Sequence, residues 1–299
     1  MTTSDITRET RLEEIGERPG FLKLALNLAR RQPLGLVGAA IVLSMLLVSA
    51  FAPLIAPYDP IDINFENMLI PPGPDYLLGT DQFGRDILSR LIYGAQTALF
   101  VGFTASFAGS SIGLVFGVTS AYLGGKFDLI FQRVIDIMQA FPLIVLALVI
   151  VSIFGSTVQN VIIAITIPFI PDCARVVRAN ALAIREIPYI DAARANGFSN
   201  TRIVLRHMVP NVMAPYLIMI TTFAGHAILL EASLSYPGLG VQAPTPAWGL
   251  MLQGGAEAYA ESAPWVAIFP GIAISLAVFG FNMFGDAVRD VLDPKLRAQ

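Results

Sequence analysis

Long apolar runs alternate with polar connections along the whole of this 299-residue chain. A helix needs about 20 apolar residues to cross the ~30 Å hydrocarbon core of a bilayer. Six runs meet or approach that length. In residue numbers they are 33–56, 97–122, 136–154, 157–174, 212–230 and 265–284. The pattern therefore predicts an all-α integral membrane protein with six transmembrane helices.

The composition agrees with membrane insertion and offers nothing for catalysis. Hydrophobic residues make up 55% of the chain and charged residues 14%, whereas soluble domains carry about 25% charge. The single cysteine, Cys173, has no disulfide partner and no metal-site spacing. The sequence has no G-x-x-x-x-G-K-[ST], H-E-x-x-H or Cys-x-x-Cys pattern and no Ser/His/Asp arrangement. We therefore expect a chain that is not an enzyme, holds no cofactor or metal, and contacts lipid rather than nucleic acid.

Positive charge is concentrated on one side of the predicted membrane. All but Arg85 and Arg90 of the 19 Lys and Arg residues lie in the N-terminal tail, the 126–133 turn, the 175–206 stretch or the C-terminus. An even number of spans puts both chain ends on the same side. The positive-inside rule makes that side the cytoplasm.

This orientation divides the chain into two parts. Residues 1–95 hold a cytoplasmic tail, the first helix and an extracytoplasmic segment. Residues 96–299 form a five-helix core with a cytoplasmic loop at about 175–211, between the fourth and fifth helices. Within the tail, Phe21–Arg31 fits either a basic amphipathic helix on the membrane surface or a flexible segment.

The loop contains the most informative stretch of the chain, YIDAARANGFSNTRIVLRHMVPN, residues 189–211. Asp191, Ala192 and Ala193 begin a helix, with an acid favourable in its first turn. Gly197 breaks that helix or lets another backbone approach closely. A helical pattern resumes until Pro210, where it ends and the next span begins. We expect two short helices around a glycine bend.

This stretch resembles the coupling loop of bacterial ABC-importer permeases, with the pattern Glu-Ala-Ala, three residues, Gly, nine residues, Ile-x-Leu-Pro. Asp191 stands at the Glu position, and both alanines, Gly197 and Pro210 match. His207 and Val209 depart from the Ile and Leu. The ending R-H-x-x-P-N, residues 206–211, and the segment LGTDQFGRDILSRLIYGA, residues 78–95, resemble the dipeptide/oligopeptide branch.

The resemblance implies a type I ABC importer permease in the bacterial cytoplasmic membrane, moving di- or oligopeptides. It implies a second, homologous permease subunit, ATP-binding cassette subunits that bind and hydrolyse the ATP, and an extracytoplasmic substrate-binding protein. Small alanines would let the loop helix enter a groove of the ATPase, with Arg202 and Arg206 at the rim. The coupling residues implied are Asp191, Ala192, Ala193, Gly197, Arg202, Arg206 and Pro210.

Other interpretations stay open. Nickel chelates, glutathione, opines and oligosaccharides are handled by similar permeases. An ion-gradient-driven carrier would need acids in the middle of spans and repeated halves, whereas the acids here lie near the ends of the predicted spans and no internal repeat is evident. The loop could also be an amphipathic cytoplasmic helix without a special role.

Three local patterns predict details of the fold. Thr80 or Asp81 can cap a helix leading into the second span. Small residues from Gly109 to Gly117 recur every four positions, which favours close packing of two helices. Pro168 and Pro171 should interrupt the fourth span and face protein or a water-filled path.

Overall fold

The computed structural model describes residues 33–256 and 258–292, so the Phe21–Arg31 prediction lies outside the described residues. The described part consists of helices and loops, with one isolated β-bridge between Thr80 and Asp86. Its helices are, in chain order, α1 (Pro33–Ala50), α2 (Ala52–Ile55), α3 (Ile87–Leu123), α4 (Gly125–Gln139), α5 (Leu143–Phe154), α6 (Val158–Arg185), α7 (Pro188–Ala195), α8 (Asn200–Ser235), α9 (Trp248–Ala256) and α10 (Trp265–Leu292).

The all-α membrane architecture is confirmed. Within the described ranges, α1, α3, α6, α8 and α10 are each long and apolar enough to cross a membrane, and α4 with α5 makes a sixth candidate as a bent pair. The predicted third span, residues 136–154, begins earlier in the structure, at Gly125, and is divided into α4 and α5, which meet at 88°. Pro142 causes the break: proline lacks the N–H that a helix needs, and it disfavours the helical conformation at the residue before it.

The second span begins earlier than expected and has a different cap. Asp86, not Thr80 or Asp81, caps α3: its carboxylate accepts a hydrogen bond of 2.8 Å from the backbone N–H of Ser89. Asp86 directly precedes the helix in an extended conformation, from which a short carboxylate reaches the free N–H groups of the first turn. Asp81 instead forms a buried ion pair of 2.7 Å with Arg85.

Helices α3 and α6 form the centre of the bundle and pack through the predicted small residues. A Cβ added at Gly113 would lie 2.7 Å from the Cβ of Cys173, so only glycine permits this approach. Cys173 is buried, as a packing residue should be. The expected interruption of α6 was wrong, because the helix runs through Pro168 and Pro171. Both prolines are buried, so neighbouring helices shield the backbone that they leave unpaired.

Candidate functional site

Residues 188–211 comprise α7, the turn after it and the first part of α8, and we call them the coupling segment; α7 forms its exposed side. Pro188 occupies its first turn, where the missing N–H has no cost. Ile190 and Ala193, three residues apart, are buried and fix α7 to the bundle. Asp191 and Ala192 are exposed. The prediction that both alanines enter a partner therefore needs a correction: Ala193 faces this chain, and Ala192 faces outward.

Gly197 ends α7 in a turn that a side chain would strain. Its φ of +73° lies in the left-handed region, which glycine adopts readily. The N–H of Gly197 donates to the carbonyl of Arg194 at 2.9 Å, and the N–H of Phe198 donates to the carbonyl of Ala193 at 3.1 Å. These two bonds make a Schellman motif. Within the described residues, a Cβ at Gly197 would meet nothing within 4 Å, so this part of the chain leaves open space there.

Pro210 does not end the helix before the fifth span, contrary to the prediction. The helix is continuous from Asn200 to Ser235. It widens into a π turn at Val204–Met208 and tightens into a 3₁₀ turn at Val209–Val212. Because Pro210 has no N–H and its ring collides with the carbonyl four residues earlier, a regular α-helix is disfavoured here. The wider turn accommodates the proline, so the second half of the coupling segment and the fifth span share one helix.

Tyr189 ties α7 to this wide turn. Its hydroxyl donates to the carbonyl of His207 at 3.0 Å and accepts from the side-chain amide of Asn211 at 3.1 Å. Asn211 also donates to the carbonyl of His207 at 2.6 Å. We call these three residues the tyrosine brace. Sequence reasoning missed it, although Tyr189 and Asn211 are the first and last residues of the stretch that resembles the coupling loop.

The arginines of the segment, Arg194, Arg202 and Arg206, lie on its exposed surface. Arg202 covers the ring of Phe198, with 3.9 Å between guanidinium carbon and ring centroid. Arg202 and Arg206 flank Leu205, which is 60% exposed, in a shallow groove. An exposed leucine between two arginines suits a partner surface that is apolar at its centre and acidic at its rim.

The coupling segment also contacts the end of α3. The hydroxyl of Tyr122 donates to the side-chain oxygen of Asn200 at 2.7 Å, and Arg194 lies 5.5 Å from the ring of Tyr122. Arg194 also pairs with Asp191 at 3.0 Å. The predicted residues that face outward are Asp191, Ala192, Gly197, Arg202, Arg206 and Pro210. The arrangement presents a small, charged, outward-facing surface on a rigid support.

The sequence matches two described families. Residues 113–298 match "Binding-protein-dependent transport system inner membrane component". Residues 20–72 match "N-terminal TM domain of oligopeptide transport permease C".

Curated relatives resemble the chain over nearly its whole length. A dipeptide transport system permease protein of Alkalihalophilus pseudofirmus is 43% identical over 90% of this chain and 88% of its own. A putative peptide transport system permease protein of Brucella suis is 40% identical over 96% of each chain. A glutathione transport system permease protein of Escherichia coli is 42% identical over 90% of this chain and 88% of its own.

A solved structure shares the fold. The inward-facing MetNI methionine ABC transporter contains a chain that superposes with a TM-score of 0.56 at 20% sequence identity. The match covers 69% of the present chain and 98% of the other.

Proposed function

The chain belongs to the family of binding-protein-dependent transport system inner membrane components, and from this premise we propose that it translocates di- and oligopeptides as one permease subunit of an ATP-driven importer. Two of the relatives described above are named for dipeptide or peptide transport. Their identities of 43% and 40% extend over 90% or more of the chain. This likeness is the main support for a peptide cargo.

Glutathione is the second cargo that a specific observation favours. The Escherichia coli relative named for glutathione transport is 42% identical, close to the 43% of the dipeptide relative. Glutathione is itself a small peptide with free charged ends, so both cargoes place similar demands on a permease. Membership of a binding-protein-dependent family also favours an ATP-driven importer over an ion-gradient-driven carrier.

The partners follow from the coupling segment and from the family. An ATP-binding cassette subunit would receive the exposed side of α7, with Asp191, Ala192 and Gly197 in its groove and Arg202 and Arg206 at its rim. ATP would be bound and hydrolysed on that subunit. A second permease would complete the pathway, and an extracytoplasmic binding protein would deliver cargo. The positive-inside distribution of Lys and Arg supports cytoplasmic termini and a cytoplasmic coupling segment.

Movement of the ATPases would reach the membrane through the coupling segment. ATP binding closes the ATPase pair and draws the docked segments together. Since Tyr189 ties α7 to the first part of α8, and α8 continues through the fifth span, a displacement of α7 moves the fifth span with it. Rigid-body motion of this kind switches paired spans between two accessible states.

The proposal is tested by purifying the chain from its native membrane in mild detergent and identifying the proteins that remain bound. We expect an ATPase and a second permease. The complex, reconstituted in vesicles with its binding protein, should take up a labelled dipeptide only when ATP is supplied. Purification as a lone chain or a homo-oligomer, or uptake driven by an ion gradient without ATP, would contradict the proposal.

A further inference from the structure

The 88° bend between α4 and α5 lies against the middle of α6, and an open cavity of about 460 Å³ lies between them. We call it the elbow cavity. Ligand pockets generally have volumes of about 300–1,000 Å³. The cavity wall includes Gln139 and Pro142 of the bend, and Pro168, Asp172 and Arg175 of α6. Much of the remaining wall is apolar, from residues such as Leu143 and Leu146.

The wall of the elbow cavity carries one acidic, one basic and one amide side chain, those of Asp172, Arg175 and Gln139. The amide of Gln139 donates to the carboxylate of Asp172 at 2.6 Å. The guanidinium of Arg175 donates to Asp136 at 2.9 Å. The side-chain oxygen of Gln139 is buried and has no hydrogen-bond partner in the structure. A buried orphan acceptor is costly, so this amide has unused capacity for a donor.

Asp172 and Arg175 lie in the middle of α6, away from both of its ends. Asp172 follows the first residue of α6, Val158, by 14 positions, which at about 1.5 Å per residue is roughly 21 Å. The hydrocarbon core is about 30 Å thick. A position about 21 Å along a core of about 30 Å lies in the half nearer the coupling segment, and ionisable side chains on spanning helices characteristically face a cavity or a substrate path.

The contacts of Gln139 with Asp172 and of Arg175 with Asp136, which we call the elbow network, do not serve mainly to hold α4 against α6. Elsewhere α4 is fixed to α6 by Asp128, whose two oxygens bind Arg178 at 2.6 and 2.5 Å with 18% of the acidic side chain exposed. The elbow network is more open, since Arg175 is 52% exposed and Asp136 is 49% exposed. Single, half-exposed contacts of this kind contribute little to stability and can be displaced by a charged ligand.

We propose that the elbow cavity binds the charged ends of a peptide during its passage, with Asp172 receiving the α-ammonium group and Arg175 the α-carboxylate. This inference rests on the proposed peptide cargo. The two side chains lie three positions apart on one helix face, with Cβ atoms about 5–6 Å apart. An extended dipeptide spans about 7 Å, a similar length. The orphan oxygen of Gln139 adds an acceptor for a peptide N–H, and the apolar wall accommodates side chains.

The test compares two cargoes in the reconstituted complex: a labelled dipeptide with free ends and the same dipeptide as its C-terminal amide. Arg175→Gln should lower the uptake ratio of free dipeptide to amide about tenfold, because a charged hydrogen bond to the carboxylate is lost. Asp172→Asn should lower the ratio of free to N-acetylated dipeptide by a similar factor. Arg133→Gln is the matched control, since Arg133 also pairs with Asp136 but does not line the cavity.

The outcomes separate the two proposals. Unchanged ratios in both variants, with peptide uptake by the unaltered complex, would overturn the elbow site alone. Failure of the unaltered complex to take up any peptide would overturn the cargo proposal and the elbow site with it. If a neutral variant does not assemble, Arg175→Lys and Asp172→Glu replace it. These keep the charge but alter its reach, and a ratio identical to that of the unaltered complex in both would also count against the site.

Discussion

A substitution at Gly197 tests the docking of the coupling segment with little effect on its folding. A non-glycine residue in the left-handed region costs about 1–2 kcal/mol, and Gly197 has a φ of +73°. No atom of the described chain lies within 4 Å of a Cβ built there. Gly197→Glu should therefore fold and insert with only this local strain. In a tight partner groove, however, an unpaired carboxylate costs about 3–5 kcal/mol, which corresponds to more than a hundredfold loss of productive docking.

Gly125 provides a matched control for the same strain. It also has a positive φ, +56°, and a Cβ there would likewise meet nothing within 4 Å. It begins α4, outside the coupling segment. We expect Gly125→Glu to insert and transport nearly as the unaltered chain does, whereas Gly197→Glu inserts but does not transport. Gly197→Ala should be intermediate, because an added methyl group in a packed contact costs about 1–3 kcal/mol.

The assay measures three quantities for each variant: the amount of subunit in the membrane, the amount of ATPase that copurifies, and ATP-driven peptide uptake. The expected result is a normal amount of subunit for both glutamate variants and a loss of ATPase and uptake for Gly197→Glu alone. Normal uptake by a stably inserted Gly197→Glu variant refutes the docking argument. An equal loss of uptake in both variants would assign the effect to backbone strain instead.

Two further predictions concern the brace and the helix packing. Tyr189→Phe removes the hydroxyl that bonds to His207 and Asn211, a contribution of about 1 kcal/mol. We expect the ATPase to remain bound, while the number of peptides transported per ATP hydrolysed falls severalfold. The control Tyr236→Phe, at the other end of α8, should leave this number unchanged. Gly113→Leu forces side-chain atoms into Cys173. It should therefore lower the thermal midpoint of the purified complex and its yield, whereas Gly271→Leu, where a Cβ meets nothing within 4 Å, should not; equal midpoints for the two leucine variants would contradict the packing argument.

The membrane spans could be predicted from the sequence, because they depend on the length and composition of apolar runs. Apolar runs located the spans, since only helices and closed barrels satisfy their backbone in lipid. Gly197 was identified correctly as a helix break, because its role depends on backbone conformation alone. The outward position of Asp191 and of both loop arginines likewise agrees with the polarity of the sequence.

Helix breaks and the buried side of a helix could not be predicted from the sequence, because they depend on contacts with neighbouring helices. Proline disfavours a regular α-helix at both Pro142 and Pro210. Yet the chain bends by 88° between two helices at Pro142, whereas Pro210 lies within a continuous helix. The difference at Pro210 is the π turn just before it, which widens the backbone. The burial of Ala193 beside an exposed Ala192 depends on where the core lies relative to α7. A sequence pattern specifies a periodicity, but the packed bundle decides which side is covered.

The connections of the coupling segment link its surface to the elbow cavity. Only two residues separate α6 from α7, and α8 begins five positions after α7 ends. The buried Ile190 and the tyrosine brace hold α7 against the bundle, so a force on its exposed side is carried by α6 and α8 together. Asp172 and Arg175 belong to α6 itself, whereas Gln139 and Asp136 belong to α4. A displacement of α6 relative to α4 therefore changes the contacts that line the cavity, which gives ATP-driven movement a direct physical route to the proposed peptide site.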